Sequence, residues 1–169
     1  MLTTSNLEQA VPAVLCSVTS NLVPATPADR LHLLSAQTYR NNFVNLKDNE
    51  KLKFTQLIEL TAVDYPDRTT RFDLIYILLS IEFNSRIILT ADIEEDESVE
   101  SITTLFPSAN WYEREVWDLF GISFINHPDL RRILTDYGFS GFPLRKDFPL
   151  SGNVEVRYDV TTKKVIYEP

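Results

Sequence analysis

Apolar side chains in the middle of the chain recur with the period of two that is typical of half-buried β-strands. The pattern covers Gln56–Tyr65, Arg71–Phe83 and Arg86–Ala91, which are rich in β-branched, leucine and aromatic residues. Two short links that contain turn-forming residues, Pro66–Thr70 and Asn84–Ser85, separate these segments. Strands joined by such short links pair as antiparallel neighbours. The middle of the chain is therefore predicted to be a three-stranded antiparallel meander.

The residues before the meander show a weaker pattern. Residues 1–29 hold several prolines and a stretch rich in Ser, Thr and Asn, which is typical of an arm that leads into a domain. A short helix around Leu7–Leu15 fits the pattern inside this arm. A first strand is predicted around Leu31–Leu34, and a helix is predicted over Tyr39–Lys47.

Helices are predicted to follow the meander. Asp92–Glu100 holds six acids and no base, and is interpreted as a solvated loop that leads into the first turn of a helix. That helix is predicted over Ser98–Leu105. A second helix is predicted over Trp111–Phe120, with Asn110 as its N-cap and Gly121 as its left-handed C-terminal residue. Strands followed by helices predict an α+β fold, in which the helices pack on one face of a mostly antiparallel sheet.

The character of the chain changes after this helix. All four glycines lie from Gly121 onward, and the periodic patterns fade after residue 130. The segment nevertheless keeps aromatic and charged side chains, which a solvated linker does not need. Residues 130–169, here called the strap, are predicted to be extended, irregular and folded against another protein. The predicted domains are thus an arm over 1–29, an α/β core over 30–129 and the strap.

Composition excludes several classes of function. A formal net charge of −8 argues against nucleic-acid binding and against a polybasic membrane anchor. No apolar run reaches the roughly 20 residues needed to cross a bilayer. Cys16 is the single cysteine, and His32 and His127 are the two histidines, so thiolate-held clusters are excluded and a metal site would depend on carboxylates. Residues 1–16 contain no Lys or Arg, so neither a secretory signal nor a transit peptide is expected there.

The best candidates for acid–base chemistry lie on the second predicted helix. Glu113 and Glu115 are two residues apart, which is about 200° around a helix, so they are a poor fit to a hydrolase dyad. Arg114 and Asp118 are four residues apart and are predicted to pair along one face. An ionic helix face that docks on another surface fits this spacing better than catalysis does. His127 is interpreted as a turn histidine that bonds locally.

A long series of contiguous motifs occupies the second half of the chain. Its centre is SANWYEREVWDLFGI at residues 108–122, followed by NHPDLRRIL at residues 126–134. Further matching segments are Leu60–Pro66, Arg71–Leu79, Asp136–Phe139, Pro143–Gly152 and Glu155–Asp159. Together these motifs resemble the thirty-kilodalton subunit family of respiratory complex I, also called NADH dehydrogenase subunit 9. The resemblance runs from about Leu57 to Pro169.

The resemblance implies a scaffold subunit in the peripheral arm of the proton-translocating NADH:ubiquinone oxidoreductase, packed against the forty-nine-kilodalton subunit beside the quinone-reducing region. It implies no cofactor and no catalytic centre in this chain, with FMN and iron–sulfur clusters held by partner subunits. It implies the matrix side of the mitochondrial inner membrane, or the cytoplasmic face of a bacterial membrane. The residues expected at the subunit interface are Glu113, Arg114, Glu115, Asp118, His127, Asp129, Arg131, Arg132, Arg145, Lys146 and Asp147.

Three alternatives stay open. A homologous scaffold subunit of a related membrane-bound hydrogenase or dehydrogenase would share these motifs. A stand-alone hydrolase would use Glu113 and Glu115, and turnover by the purified chain would reveal it. A free module that binds an acidic or phosphate ligand would use Arg131, Arg132, Arg145 and Lys146, and monomeric behaviour with a well-packed tail would support that interpretation.

Overall fold

An antiparallel meander forms the centre of the molecule. The computed structural model describes residues 29–33, 39–152 and 154–168. Strands β2 (Gln56–Asp64), β3 (Phe72–Ser80) and β4 (Ser85–Ile93) follow one another along the chain, and each pairs antiparallel with the next. The period-two pattern and the two short links therefore predicted the correct arrangement.

A first strand extends the sheet on the far side of β4. β1 (Asp29–Leu33) pairs parallel with β4, so the strand order is β1-β4-β3-β2. This strand begins inside the segment that was predicted to be an arm. Leu34 and the helix expected around Leu7–Leu15 lie outside the described residues.

The helices pack on one face of the sheet, as the α+β prediction requires. Along β3, the residues Phe72, Leu74, Tyr76 and Leu78 are fully buried, while the residues between them are partly exposed. Helix α1 (Tyr39–Asp48) adds Phe43 and Leu46 to this core, and helix α2 (Ala109–Phe120) adds Ala109, Val116 and Phe120. Burial of these side chains is the main favourable term in folding of the domain.

Helix α2 begins earlier than its sequence suggests. It starts at Ala109, and Ser108 occupies the N-cap position without a side-chain capping bond, so the prediction that Asn110 caps the helix is wrong. Its end is as predicted, because Gly121 is left-handed at φ 82° and donates its N–H to the Trp117 carbonyl. A Cβ at Gly121 would lie 2.7 Å from both the Phe142 ring and the Arg145 guanidinium. The glycine thus also lets the strap approach closely.

The helix predicted over Ser98–Leu105 does not form. Val99–Glu100 is a short strand, β5, which pairs parallel with β6 (Phe124–Ile125). The N–H groups of Val99 and Ser101 donate to the carbonyls of Ser123 and Ile125. These tertiary hydrogen bonds override a helical preference that is worth only tenths of a kcal/mol per residue.

The strap is irregular only in its first half. Beyond residue 130 the chain runs without helix or strand to residue 152, but β7 (Glu155–Asp159) and β8 (Lys164–Glu168) then form an antiparallel hairpin. The prediction of a wholly irregular strap is wrong here, because Val156, Tyr158, Val165 and Tyr167 alternate with polar residues on either side of a turn. No helix in the described part of the chain has the length and apolar character needed to span a membrane.

Candidate functional site

Asp118 of α2 is the centre of a cluster that fixes the start of the strap to the core. Its side chain is fully buried, and its Oδ2 accepts the N–H groups of Ile133, Leu134 and Thr135 at 3.0, 2.8 and 2.9 Å. Its Oδ1 accepts the Thr135 hydroxyl and the Arg132 guanidinium, the latter at 2.7 Å. The carboxylate thus accepts five hydrogen bonds, and three of them satisfy backbone N–H groups that have no ladder partner.

The hydrogen bonds to Asp118 also determine its charge. Burial raises the pKa of this carboxyl, but the bonds from the Thr135 hydroxyl and from the three consecutive N–H groups outweigh burial and hold the pKa well below its usual range. Asp118 is therefore ionised at neutral pH and carries the negative charge that Arg132 balances.

Arg132 connects the carboxylate to the aromatic side chains of the strap. Its guanidinium lies 5.7 Å from the Trp117 ring centroid and a similar distance from the rings of Phe139 and Phe142. It also donates to the Gly141 carbonyl at 3.2 Å. A partly buried guanidinium surrounded by rings gains cation–π attraction in addition to its ion pair. Arg132 therefore holds the strap in a bend over the end of α2.

Arg114 contacts the same part of the strap. Its Nε and Nη2 donate to the carbonyls of Arg131 and Arg132, each at 3.1 Å. The predicted Arg114–Asp118 pair is wrong, because Asp118 pairs with Arg132 and Arg114 binds backbone carbonyls. Spacing along a helix shows which of its side chains are close enough to pair. Here Arg114 and Asp118 both bind groups of the strap instead of each other.

A second buried ion pair holds the strap further along. Arg71 donates to both carboxylate oxygens of Asp64, at 2.8 and 3.1 Å, and pairs with Asp147 at 2.9 Å. Asp64 Oδ2 also accepts the Lys146 N–H at 2.7 Å. The hydrogen bond from Arg71 lowers the pKa of Asp64. Lys146 and Asp147 of the expected interface set are thus attached to the core of their own chain.

Arg145 completes this second attachment. Its Nε donates to the Phe120 carbonyl at the end of α2 at 2.6 Å, and its Nη1 pairs with Glu95 at 2.8 Å. Glu95 also accepts from Arg71 at 2.9 Å. Glu95 belongs to the acidic run that was interpreted as a solvated loop; its side chain is 49% exposed in a turn, and it also pairs with these two arginines.

Glu113, Glu115 and His127 lie apart from these attachments. Glu113 is fully buried and accepts from the Ser101 hydroxyl and the Ile102 N–H at 2.6 and 2.8 Å. Glu115 lies on another face, where burial and the neighbouring charge of Glu59 raise its pKa. The structure therefore does not bring the two carboxyls together as a hydrolase dyad would need.

His127 makes one local bond, as the turn interpretation predicts, and one contact with the first turn of α2. Its Nδ1 accepts the Asp129 N–H at 3.0 Å, and its Nε2 lies 3.2 Å from the Asn110 carbonyl. Asp129 in turn pairs with Arg131 at 2.8 Å, and both side chains are at least half exposed. An exposed pair of this kind adds little stability.

Asp64, Arg71 and Glu95 are anchoring residues outside the predicted interface set. Asp64 and Arg71 stand at the two ends of the first link of the meander, where the strands β2 and β3 meet. Opposite charges at the two ends of a predicted turn were a usable indication of a pair. No metal site accompanies the carboxylates, since the described residues contain no group of three or more His, Cys, Asp or Glu side chains that could hold an ion.

The strap exposes many large apolar side chains. The anchors described above draw charged groups inward, whereas large hydrophobic side chains point to solvent; Tyr137 is 94% exposed. The exposed hydrophobic residues of the strap are Leu134, Tyr137, Leu144, Leu150, Val154, Val156, Tyr158, Val160, Val165 and Tyr167. Ten exposed large apolar side chains in one segment of about 40 residues are a feature of protein–protein contact sites.

Comparison with known proteins identifies the family. Residues 33–154 match the model of the respiratory-chain NADH dehydrogenase, 30 kDa subunit. The chain belongs to this family. The matched region covers the three strands of the meander, both helices and the anchored half of the strap, and it ends just before the β7–β8 hairpin.

Relatives of this thirty-kilodalton family occur in bacteria and plants. A subunit of the NADH-quinone oxidoreductase of Parvibaculum lavamentivorans is 54% identical over 137 residues, which are 81% of this chain and 68% of that protein. NADH dehydrogenase [ubiquinone] iron-sulfur protein 3 of Beta trigyna is 60% identical over 124 residues, which are 73% of this chain and 65% of that protein. The chain therefore aligns with about two thirds of the length of these relatives.

Two solved structures share the fold. The trypsin-resistant fragment (1-134) of Nqo5 superimposes with a TM-score of 0.53 at 33% identity, covering 63% of this chain and 87% of that one. A chain of the membrane-bound sulfane sulfur reductase, an archaeal respiratory membrane complex, superimposes with a TM-score of 0.64 at 25% identity and covers 76% of each chain.

Proposed function

We propose that this chain is a non-catalytic scaffold subunit of the peripheral arm of an NADH:quinone oxidoreductase, and that it works by holding partner subunits in position. The observation that carries the proposal is the two-sided strap. Arg132, Arg145 and Asp147 of the strap are tied to the core of their own chain, while large apolar side chains of the strap are exposed. The anchored half of the strap, which exposes Leu134, Tyr137 and Leu144, therefore presents a fixed surface, which reduces the entropy lost on binding a partner.

The family and the composition of the chain support the finer parts of the proposal. The relatives are named as subunits of NADH-quinone and NADH-ubiquinone enzymes. One cysteine in the whole sequence is too few for the four ligands of an ordinary iron–sulfur cluster, so we assign FMN and such clusters to partner subunits. We assign the strap contact to the forty-nine-kilodalton subunit, and the location to the matrix side of the mitochondrial inner membrane or its bacterial counterpart. Coupling to proton translocation would be a property of the whole complex.

Rigidity is the contribution we assign to this chain. Cofactors and quinone in neighbouring subunits have to be held to within a fraction of an ångström, and surrounding protein supplies that precision. Asp118 and Asp64 fix the strap at two points, one near each end of its irregular half. Movement of the strap would then be limited by two buried ion pairs rather than by regular secondary structure.

The experiment replaces apolar side chains on the outer side of the strap in the assembled complex. Leu134→Ala combined with Tyr137→Ala should lower the amount of assembled complex at least about tenfold, because buried apolar and aromatic anchors dominate binding energy. Ile81→Ala with Phe83→Ala is the matched control, since Ile81 and Leu134 are equally exposed, at 61% and 62%. Native gels would give the amount of complex, and NADH oxidation per assembled complex would give turnover.

Two outcomes would contradict the scaffold proposal. One is normal assembly with a large loss of turnover, which would place the strap in the chemistry rather than in assembly. The other is an equal loss of assembly in the control variant, which would show that the strap is not the docking surface.

A scaffold subunit of another respiratory membrane complex is the second candidate. The similarity to a chain of the sulfane sulfur reductase complex favours it, because that structure covers more of this chain than the Nqo5 fragment does. Sequence identity favours the first candidate, at 54–60% against 25%. The partner proteins and cofactors that co-purify with the chain would decide between the two.

A further inference from the structure

Glu113 is a buried carboxyl that the anchoring of the strap does not use. Its side chain is fully buried between α2 and the segment after β5, where it accepts from the Ser101 hydroxyl and the Ile102 N–H. These two bonds cross-link the helix to that segment. A buried carboxylate without a cationic partner is costly, so such a group is expected to bind a proton more readily than usual.

The nearest basic group does not supply that cation. His127 Nε2 lies 3.9 Å from Glu113 Oε2, and the ring is fully buried. Nδ1 accepts the Asp129 N–H, so the ring hydrogen is on Nε2, where it is within reach of the Asn110 carbonyl. Burial lowers the pKa of His127 and keeps this neutral form. The imidazole therefore leaves the charge of Glu113 uncompensated.

A chain of hydroxyl groups joins Glu113 to the surface. Ser101 Oγ lies 2.6 Å from the carboxylate and 2.8 Å from Thr103 Oγ1. Thr103 lines a surface pocket of about 340 Å³, together with Thr104, Pro107, Asn110, Asn126 and Pro128. Hydroxyl groups both donate and accept hydrogen bonds, so two of them in series can pass a proton.

We propose that Glu113 is an internal proton-binding site, and that it exchanges its proton with water in this pocket through the hydroxyls of Ser101 and Thr103. In uptake, a hydronium ion protonates Thr103 Oγ1 while the Thr103 hydrogen moves to Ser101 Oγ. The Ser101 hydrogen then moves to Glu113 Oε2. The products are a neutral carboxylic acid, two intact hydroxyls and one water molecule. Release is the same sequence in reverse.

The surroundings of Glu113 place its titration near neutral pH. Burial raises its pKa to about 7, although the bonds from Ser101 and Ile102 oppose the rise. The groups that face it from the packed elements are Tyr76 on β3, whose pKa is raised by burial and by the Glu113 charge, and the neutral His127. The charges of Asp129 and Arg114 act on His127, the former raising and the latter lowering its pKa.

The test is an NMR titration of the full chain labelled at the glutamate side-chain carboxyl carbon. The Glu113 signal, assigned by its loss in Glu113→Gln, should titrate at about pH 7, well above the exposed glutamates. Ser101→Ala removes a bond to the ionised form and should move the midpoint to higher pH. A Glu113 signal that titrates with the exposed glutamates, or one that is constant between about pH 4 and 9, would overturn the proposal.

The route is tested by Thr103→Val, which keeps the shape of the side chain and removes its hydroxyl. Exchange between the two forms of Glu113 should slow by about tenfold or more, so that the averaged signal broadens or splits at the midpoint. Thr104→Val is the matched control, since Thr104 lines the same pocket but its hydroxyl accepts from Arg40 instead. Unchanged exchange in Thr103→Val, or equal slowing in both variants, would refute the hydroxyl route. The result does not depend on whether the chain is a scaffold subunit.

Discussion

Asp118 shows how a single carboxylate can take the place of a strand partner. Three consecutive backbone N–H groups of the strap point at one oxygen, and none of them belongs to a helix or a sheet. Without Asp118 these donors would lose their acceptor, and Arg132 would lose its counter-ion. Removing one partner of a buried pair is expensive because the other charge is left uncompensated.

Asp118→Asn should therefore destabilise the chain by about 3 kcal/mol at pH 7. The amide keeps the shape of the side chain but has one acceptor oxygen for donors that need two. The Asp118 pKa is lowered in the folded state, so the carboxylate stabilises the fold above its ordinary value of 3.8, and this contribution is lost as the pH falls through the folded-state value. The difference in the free energy of unfolding between Asp118→Asn and the wild type should therefore become smaller below about pH 4.

Urea unfolding followed by tryptophan fluorescence would measure both effects. Asp129→Asn provides the control, because the Asp129–Arg131 pair is exposed and should contribute less than about 1 kcal/mol. An Asp118→Asn effect no larger than that of the control would mean that the strap is held elsewhere.

Glu113 should make the free energy of unfolding depend on pH in the opposite direction to Asp118. Its pKa is raised from 4.5 to about 7 in the folded chain, so the folded state binds more protons between these values and the free energy of unfolding falls as the pH rises through them. Glu113→Gln should flatten this dependence. Unfolding curves between about pH 5 and pH 8 would measure it, and a wild-type stability that is constant over this range would contradict the buried-carboxyl account.

At the scale of elements, the junction between α2 and the strap depends on a close approach at Gly121. Gly121 and Gly138 have the same φ of 82°, but a Cβ would meet Phe142 and Arg145 only at Gly121 and nothing within 4 Å at Gly138. The two positions therefore separate backbone strain from steric overlap.

Gly138→Ala should lower the free energy of unfolding by about 1 kcal/mol, because the backbone at this position is left-handed. Gly121→Ala should cost a further ~1–3 kcal/mol, because the Phe142 ring and the Arg145 guanidinium must move. The same variant should speed trypsin cleavage after Arg145 in the native chain. Equal destabilisation by the two substitutions, measured by urea unfolding, would show that the strap does not press on the end of α2.

How much of the fold was predictable also depends on the scale of the interaction. The meander and the Gly121 end of α2 follow from local patterns, which neighbouring residues decide. The Val99–Glu100 strand and the anchors of the strap do not, because their partners are distant in sequence: Lys146 meets Asp64 across 82 positions. Nothing in the sequence around Asp64 and Asp118 indicates which backbone N–H groups donate hydrogen bonds to their carboxylates. The apolar alternation of β7 and β8, by contrast, is a local pattern that is present in the sequence.

At the scale of the whole molecule, stability is expected to fall along the strap. Residues 133–135 donate to a buried carboxylate, whereas Val156, Tyr158, Val165 and Tyr167 share one face of a two-stranded hairpin and are each more than half exposed. An isolated two-stranded hairpin is marginally stable in water. The anchored half should therefore be ordered in the free chain, and the hairpin should gain its stability from the partner.

Amide hydrogen exchange would test this gradient. In the free chain, the amides of Ile133, Leu134 and Thr135 should be protected to an extent approaching that of β3, since they open only when the Asp118 cluster breaks. The hairpin amides should exchange at least about a hundredfold faster, because local opening exposes little additional apolar surface. In the assembled complex the hairpin should become protected while residues 133–135 change little. Protection of the hairpin in the free chain equal to that of β3 would mean that the hairpin is stable without a partner. It would then remove the physical basis for assigning the exposed apolar side chains of the strap to a partner.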